Sequence, residues 1–149
     1  MNKEFVMRGK TASGETEVLN FSGYKPGYAY RLTEFSLYPS TNIGTSNYEL
    51  LGTITAGKTA VAPTDPNFND EGLIATAKLS ESSASNYVSD IISIVNDTFL
   101  ITQNLILMVQ ETAGSNLPVN WQCRFVAEKM SGPEEAVANY KQYTISDGS

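Results

Sequence analysis

Pro118 to Met130 reads PVNWQCRFVAEKM. Val119, Trp121, Cys123, Phe125 and Ala127 fall on one side of an extended chain, and Asn120, Gln122, Arg124 and Glu128 on the other. Successive side chains of a strand point to opposite faces, so this alternation predicts a half-buried β-strand with Trp121 and Phe125 in the core. Cys123, between them, is expected to act as a small buried hydrophobe.

The same period of two recurs on both sides of this stretch. GLIATAKL (Gly72–Leu79) turns Leu73, Ala75, Ala77 and Leu79 to one face. GYAYRLTEFSLYP (Gly27–Pro39) places Tyr28, Tyr30 and Leu32 on one face, then slips, so that Phe35 and Leu37 fall one step out of phase. A β-bulge near Thr33–Glu34, one extra residue in one strand, would return both sets to the core. NLILMVQE (Asn104–Glu111) is apolar on both faces and predicts a central strand covered on both sides. KEFVMRG, ETEVLNF and YELLGTIT complete a set of about eight strands separated by Gly, Pro, Asn and Ser clusters.

Two stretches carry helical signals. In SNYVSDIISIVND (Ser85–Asp97), Val88, Ile91, Ile92 and Val95 follow the i, i+3, i+4, i+7 spacing, although β-branched residues oppose a helix. In SGPEEAVANYKQY (Ser131–Tyr143), Pro133 suits the first helical position, and Glu134 and Glu135 suit the first turn. The expected architecture is all-β: one antiparallel β-sandwich domain over residues 1–149, jelly-roll-like, with at most one or two short helices.

Composition excludes much chemistry. The chain has 149 residues, no His and one Cys. Imidazole bases and ligands are therefore absent, an internal disulfide is impossible, and one thiolate cannot build a zinc site. Sixteen acids against ten Lys and Arg give a net charge of −6. That balance, with no basic cluster, argues against nucleic acid and against anionic membranes. The first residues, MNKEFVMRGK, lack the apolar run of a signal peptide, and NLILMVQ is too short to span a bilayer. Synthesis and folding in the cytoplasm are expected.

GTITAGKT (Gly52–Thr59) fits the phosphate-loop pattern G-x-x-x-x-G-K-[ST] at every position. A working loop needs a helix that begins at the lysine and holds phosphates on its first N–H groups. Here Pro63 and Pro66 follow too closely for a helix longer than about one turn. A strand running into a turn, with Lys58 in solvent, is the expected reading, and no catalytic residue is assigned.

DPNFNDEG (Asp65–Gly72) opens like an EF-hand loop, with Asp65, Asn67 and Asn69 at its first, third and fifth positions. Asp70 stands where that loop needs Gly, and Thr76 where it needs Glu. Asp65, Asn67, Asn69, Asp70 and Glu71 still gather enough hard oxygens to be candidate Ca²⁺ ligands. The alternative is an Asx-rich turn capped by its own side chains. Among scattered acids, Glu17, Glu34, Asp90, Glu111 and Glu128 are candidates for paired-carboxylate chemistry only if folding brings two across a cleft. Six tyrosines (Tyr24, Tyr28, Tyr30, Tyr38, Tyr48 and Tyr87) are available to core packing or to a sugar-binding surface.

YRLTEFSLYPS (Tyr30–Ser40), DPNFNDEGLIATAKL (Asp65–Leu79), NDTFLITQNLILMVQET (Asn96–Thr112) and PVNWQCRFVAEKMSGPEEAVANYKQY (Pro118–Tyr143) together span most of the chain. Their texture of short strands, Asn- and Ser-rich turns and a terminal EEAVANYKQY resembles small β-rich virion structural proteins of marine bacteriophages. The resemblance implies a capsid, decoration or tail-associated role, with other copies of the chain and other virion proteins as partners. It transfers no site residues. Extended end segments of such a subunit can dock on neighbours, which makes Phe5, Met7, Tyr140 and Tyr143 candidate interface residues. The alternative expectation is a carbohydrate-binding sandwich, calcium-dependent if the Asp65–Glu71 loop is a metal site.

Overall fold

The structure is a computed structural model that describes residues 3–21, 27–40, 47–57, 59–82, 88–114, 116–130, 133 and 137. Eight strands follow in order: β1 (Lys3–Thr11), β2 (Thr16–Leu19), β3 (Tyr28–Pro39), β4 (Tyr48–Thr55), β5 (Leu73–Ser82), β6 (Val88–Val95), β7 (Leu105–Glu111) and β8 (Val119–Lys129). They form a three-stranded sheet, β1-β8-β3, and a five-stranded sheet, β2-β7-β4-β5-β6, with every pairing antiparallel.

The strand order is that of one long hairpin rolled onto itself. β1 pairs with β8, β2 with β7 and β4 with β5, while β3 joins β8 and β4 joins β7. This nesting is the jelly-roll arrangement, with one departure. The hairpin partner of β3 would be β6, but β6 takes its ladder from β5 instead. It meets β3 through a side chain: Ser93 Oγ donates to the Phe35 carbonyl at 2.7 Å. Near the other end of β3, Tyr30 and Ile101 exchange backbone bonds of 3.0 and 2.8 Å.

Alternation places the core between the sheets. Val119, Cys123 and Phe125 on β8 are fully buried and Trp121 nearly so. Opposite them lie Leu105, Leu107 and Val109 of β7 and Leu50 and Ile54 of β4, all buried. Burying each of these large side chains contributes roughly 1.5–3 kcal/mol. In β3 the ladder slips between Leu32 and Glu34, so Thr33 is the bulge residue and Leu32, Phe35 and Leu37 all reach the core. The sequence phase break thus has its expected cause.

Two expectations need correction. Val88–Val95 is a strand, not a helix. Its Val and Ile side chains lose little freedom in extended backbone, and pairing with β5 outweighs the weak helical spacing. β7 is central, but only one face is fully covered: Ile106, Met108 and Gln110 are half-buried. Of the predicted C-terminal helix, Pro133 and Val137 have helical backbone, and the other residues of Ser131–Tyr143 lie outside the described set.

Candidate functional site

The phosphate-loop match resolves into sandwich packing. β4 carries Gly52 to Thr55 and ends there, and residues 59–72 form turns without a helix. The segment after the turn folds back on β4. Thr53 Oγ1 donates to the Val61 carbonyl at 2.6 Å, and the Val61 N–H donates to Thr55 Oγ1 at 3.2 Å. Both threonines are buried by this cover. Gly52 faces β3, where an added Cβ would stand 2.9 Å from Phe35 Cζ and 3.2 Å from Leu37 Cδ2. Its glycine character therefore serves close sheet approach. Lys58 lies outside the described residues. Among the described residues of this turn no helix N-terminus is presented to a phosphate.

The Asp65–Glu71 segment is an exposed chain of turns just before β5. Asn67 Oδ1 accepts from the Asn69 N–H at 3.0 Å, and Asp70 Oδ1 accepts from the Gly72 N–H at 2.9 Å. Backbone bonds from Asp70 to Asn67 and from Leu73 to Asp70 close the same turns. These are Asx turns, in which side-chain oxygens satisfy local amides. Among the described residues no group of three or more His, Cys, Asp or Glu side chains is placed to hold a metal ion.

The candidate interface residues separate. Phe5 and Met7 lie half-buried on the inner face of β1. Phe5 stacks on Phe125 at 5.4 Å and meets Tyr30 edge-on at 5.6 Å, with Phe21 completing the cluster. Both therefore help to fill this chain's own core. Tyr140 and Tyr143 lie outside the described residues.

The acids also separate. Glu34 and Arg124 pair at 3.3 Å, and Glu128 and Arg31 at 2.9 Å. Glu17 Oε1 accepts from the Thr11 hydroxyl at 3.4 Å. Asp90 is exposed on β6. Glu111 is buried at the end of β7 and gathers backbone amides: Glu49 N–H at 3.1 Å, Ala113 N–H at 2.8 Å and Asn116 N–H at 3.1 Å. It organises the loop after β7. Cys123 sits in the core, where desolvation pushes its thiol up to about 12.

Two surfaces stand out that alternation alone could not locate. The first is β6, the outer strand of the five-stranded sheet. Ile91, Ile92 and Ile94 are 69%, 47% and 49% exposed. Ile92 lies opposite Lys78, and Ile94 opposite Thr76, on the outer face of the sheet. Phe68, 63% exposed, joins Ile94 and Thr76 around a groove of about 270 Å³. The second is a shallow cleft of about 530 Å³ on the outside of the other sheet, lined by Arg8, Ser36, Tyr38, Asn120 and Gln122. For β6 the available signal was its run of Ile and Val. For the cleft it was the polar side of the stretch that begins at Pro118.

These features define an all-β protein of two packed antiparallel sheets. No protein-family model matches the chain, and no curated protein matches it. Among the described residues no helix is long and apolar enough to cross a membrane.

Proposed function

We propose that this protein is a structural subunit that acts by assembling with copies of itself and with companion proteins of a virion, as a capsid, decoration or tail-associated component. The observation that carries this reading is the apolar edge at β6. Natural sheets blunt their edges with lysine, proline or bulges, because unpaired N–H and C=O groups invite another strand. β6 pairs only with β5 among the described strands, and its one charged residue is Asp90. Ile92 and Ile94 add an apolar face beside the open edge. A strand from a neighbour would extend the five-stranded sheet, with main-chain bonds supplying affinity and the isoleucines supplying contact area. The texture that resembles small β-rich bacteriophage virion proteins is in keeping with the same reading.

The test is light scattering coupled to size exclusion at micromolar concentration, on the wild type and on I92K/I94K. The expected result is a multi-copy species for the wild type and a folded monomer for the variant. A wild type that stays monomeric across the concentration range overturns the reading.

A further inference from the structure

The cleft on the three-stranded sheet lies among rows of side chains that cross its strands, with Lys10 in one of these rows beside the residues that line it. In one row Arg8 of β1 and Ser36 of β3 flank Gln122 of β8; in the next, Lys10 and Tyr38 flank Asn120. All six side chains alternate with inward-facing neighbours, so they share the outer face. Adjacent strands lie about 4.8 Å apart, and alternate residues along a strand about 7 Å apart. The floor is lined by Gly9, Leu37 and Trp121. The volume, about 530 Å³, falls within the usual range for small-ligand sites.

Three properties distinguish this cleft. Tyr38 is 56% exposed, leaving its ring open to a ligand. Asn120 and Gln122 are half-buried; Asn120 gives one long bond of 3.4 Å to the Pro39 carbonyl, and Gln122 makes no side-chain hydrogen bond among the described residues. Arg8 and Lys10 form no ion pair among the described residues, while Arg31 and Arg124 on the same sheet are paired with acids. In a chain of net charge −6, two neighbouring unpaired cations make a local positive site in a negative surface.

We propose that this cleft binds an acidic oligosaccharide built from uronic acid residues. The exposed Tyr38 ring packs against the apolar face of a sugar. The amides of Asn120 and Gln122 can each donate and accept, which suits neighbouring hydroxyls. Arg8 supplies a planar fork for a carboxylate, and Lys10 adds a second positive charge. Two cations suit a ligand with well-spaced single charges. They do not suit nucleic acid, whose binding rests on neutralising many phosphates against this chain's overall negative field. The site lies on the opposite sheet from β6 and stands independently of the assembly reading. The Asp65–Glu71 turns lead into β5 of the other sheet, so binding in the cleft is independent of any calcium held at those turns.

The experiment is isothermal titration calorimetry with oligogalacturonate and oligoguluronate, neutral oligogalactose, and a single-stranded oligonucleotide, in low salt and with EDTA. Expected is binding of at least one uronate oligomer that persists in EDTA and weakens with salt. R8Q and Y38A should each lower that affinity at least about tenfold, the loss of one charge-assisted or stacking contact. Circular dichroism checks that both variants remain folded, and both side chains are exposed. K78Q, which removes a cation on the far sheet, should leave the affinity unchanged. The proposal is overturned if neither uronate oligomer binds, if neutral oligogalactose or the oligonucleotide binds as tightly, or if K78Q weakens binding as much as R8Q.

Discussion

The indole N–H of Trp121 donates to the hydroxyl of Thr11 at 2.9 Å, joining β8 to the end of β1 inside the sandwich. The ring reaches that position by lying over Gly9, its ladder partner, where an added Cβ would stand 2.8 Å from Trp121 Cζ2. A rigid ring held by a hydrogen bond cannot easily move aside. Gly9→Ala should therefore destabilise by about 1–3 kcal/mol, the usual cost of overpacking. Thr11→Val should cost a similar ~1–3 kcal/mol by leaving the buried indole N–H unsatisfied. As Trp121 is the one tryptophan, urea titration followed by its fluorescence reads both variants directly.

Gly52 gives a parallel test and separates packing from nucleotide chemistry. Its would-be Cβ meets Phe35 and Leu37 across the sandwich. Gly52→Ala should cost about 1–3 kcal/mol, and Gly52→Val more, because a core ring must shift. The unfolding temperature of the wild type should not move when ATP and Mg²⁺ are added. A rise of several degrees would restore the phosphate-loop reading.

Glu111 holds three backbone amides at once, Glu49 of β4 and Ala113 and Asn116 of the loop after β7. Glu111→Ala strands them and should lower stability by about 2–4 kcal/mol. Glu111→Gln, which keeps one acceptor oxygen, should lose less. Thermal unfolding by circular dichroism ranks the pair.

The Ser93–Phe35 bond is a direct polar tie between β6 and β3. Ser93→Ala should lower stability by only about 1 kcal/mol. It should raise amide exchange along β6 more than along β7, because β6 is an edge strand and β7 is central. Equal exchange in both strands would show that the bond does not anchor β6.

Alkaline pH should unfold the protein through two groups. The Cys123 thiol is pushed from its usual 9.0 up to about 12 by burial. Tyr48 is raised by burial and then by the neighbouring Glu81 carboxylate. A raised folded-state value means that the unfolded chain releases its proton first. The thiol's stabilising contribution is intact below pH 9.0 and is lost as pH rises from there toward about 12. Cys123→Ala and Tyr48→Phe should each flatten the decline of stability with rising pH. Cys123 should also resist thiol reagents at pH 8 until denaturant is added.

Much of the fold was legible from side-chain alternation. The stretch beginning at Pro118 has the burial pattern its residues imply, and the bulge at Thr33 was visible as a phase slip between Leu32 and Phe35. Val88–Val95 misled, because an edge strand with both faces partly open needs no strict alternation and can mimic helical spacing. Phe5 and Met7 also could not be placed from local pattern. Whether an apolar face of a terminal strand covers its own core or a neighbour depends on what stands opposite, here Phe125, Tyr30 and Phe21.

The chain by itself determined that strands form, which face of most of them is apolar, and that neither imidazole chemistry nor an internal disulfide is available. Those properties follow from residue identity and a period of two, which act over a few residues. Only the tertiary structure decided that β6 leaves the β3 side of the roll and becomes an apolar edge, and that Arg8, Tyr38, Asn120 and Gln122 meet on one face. Those outcomes depend on ladder partners distant in sequence, such as β1 with β8. No local propensity encodes such pairings; they are selected by how well the two inner faces fill the space between the sheets.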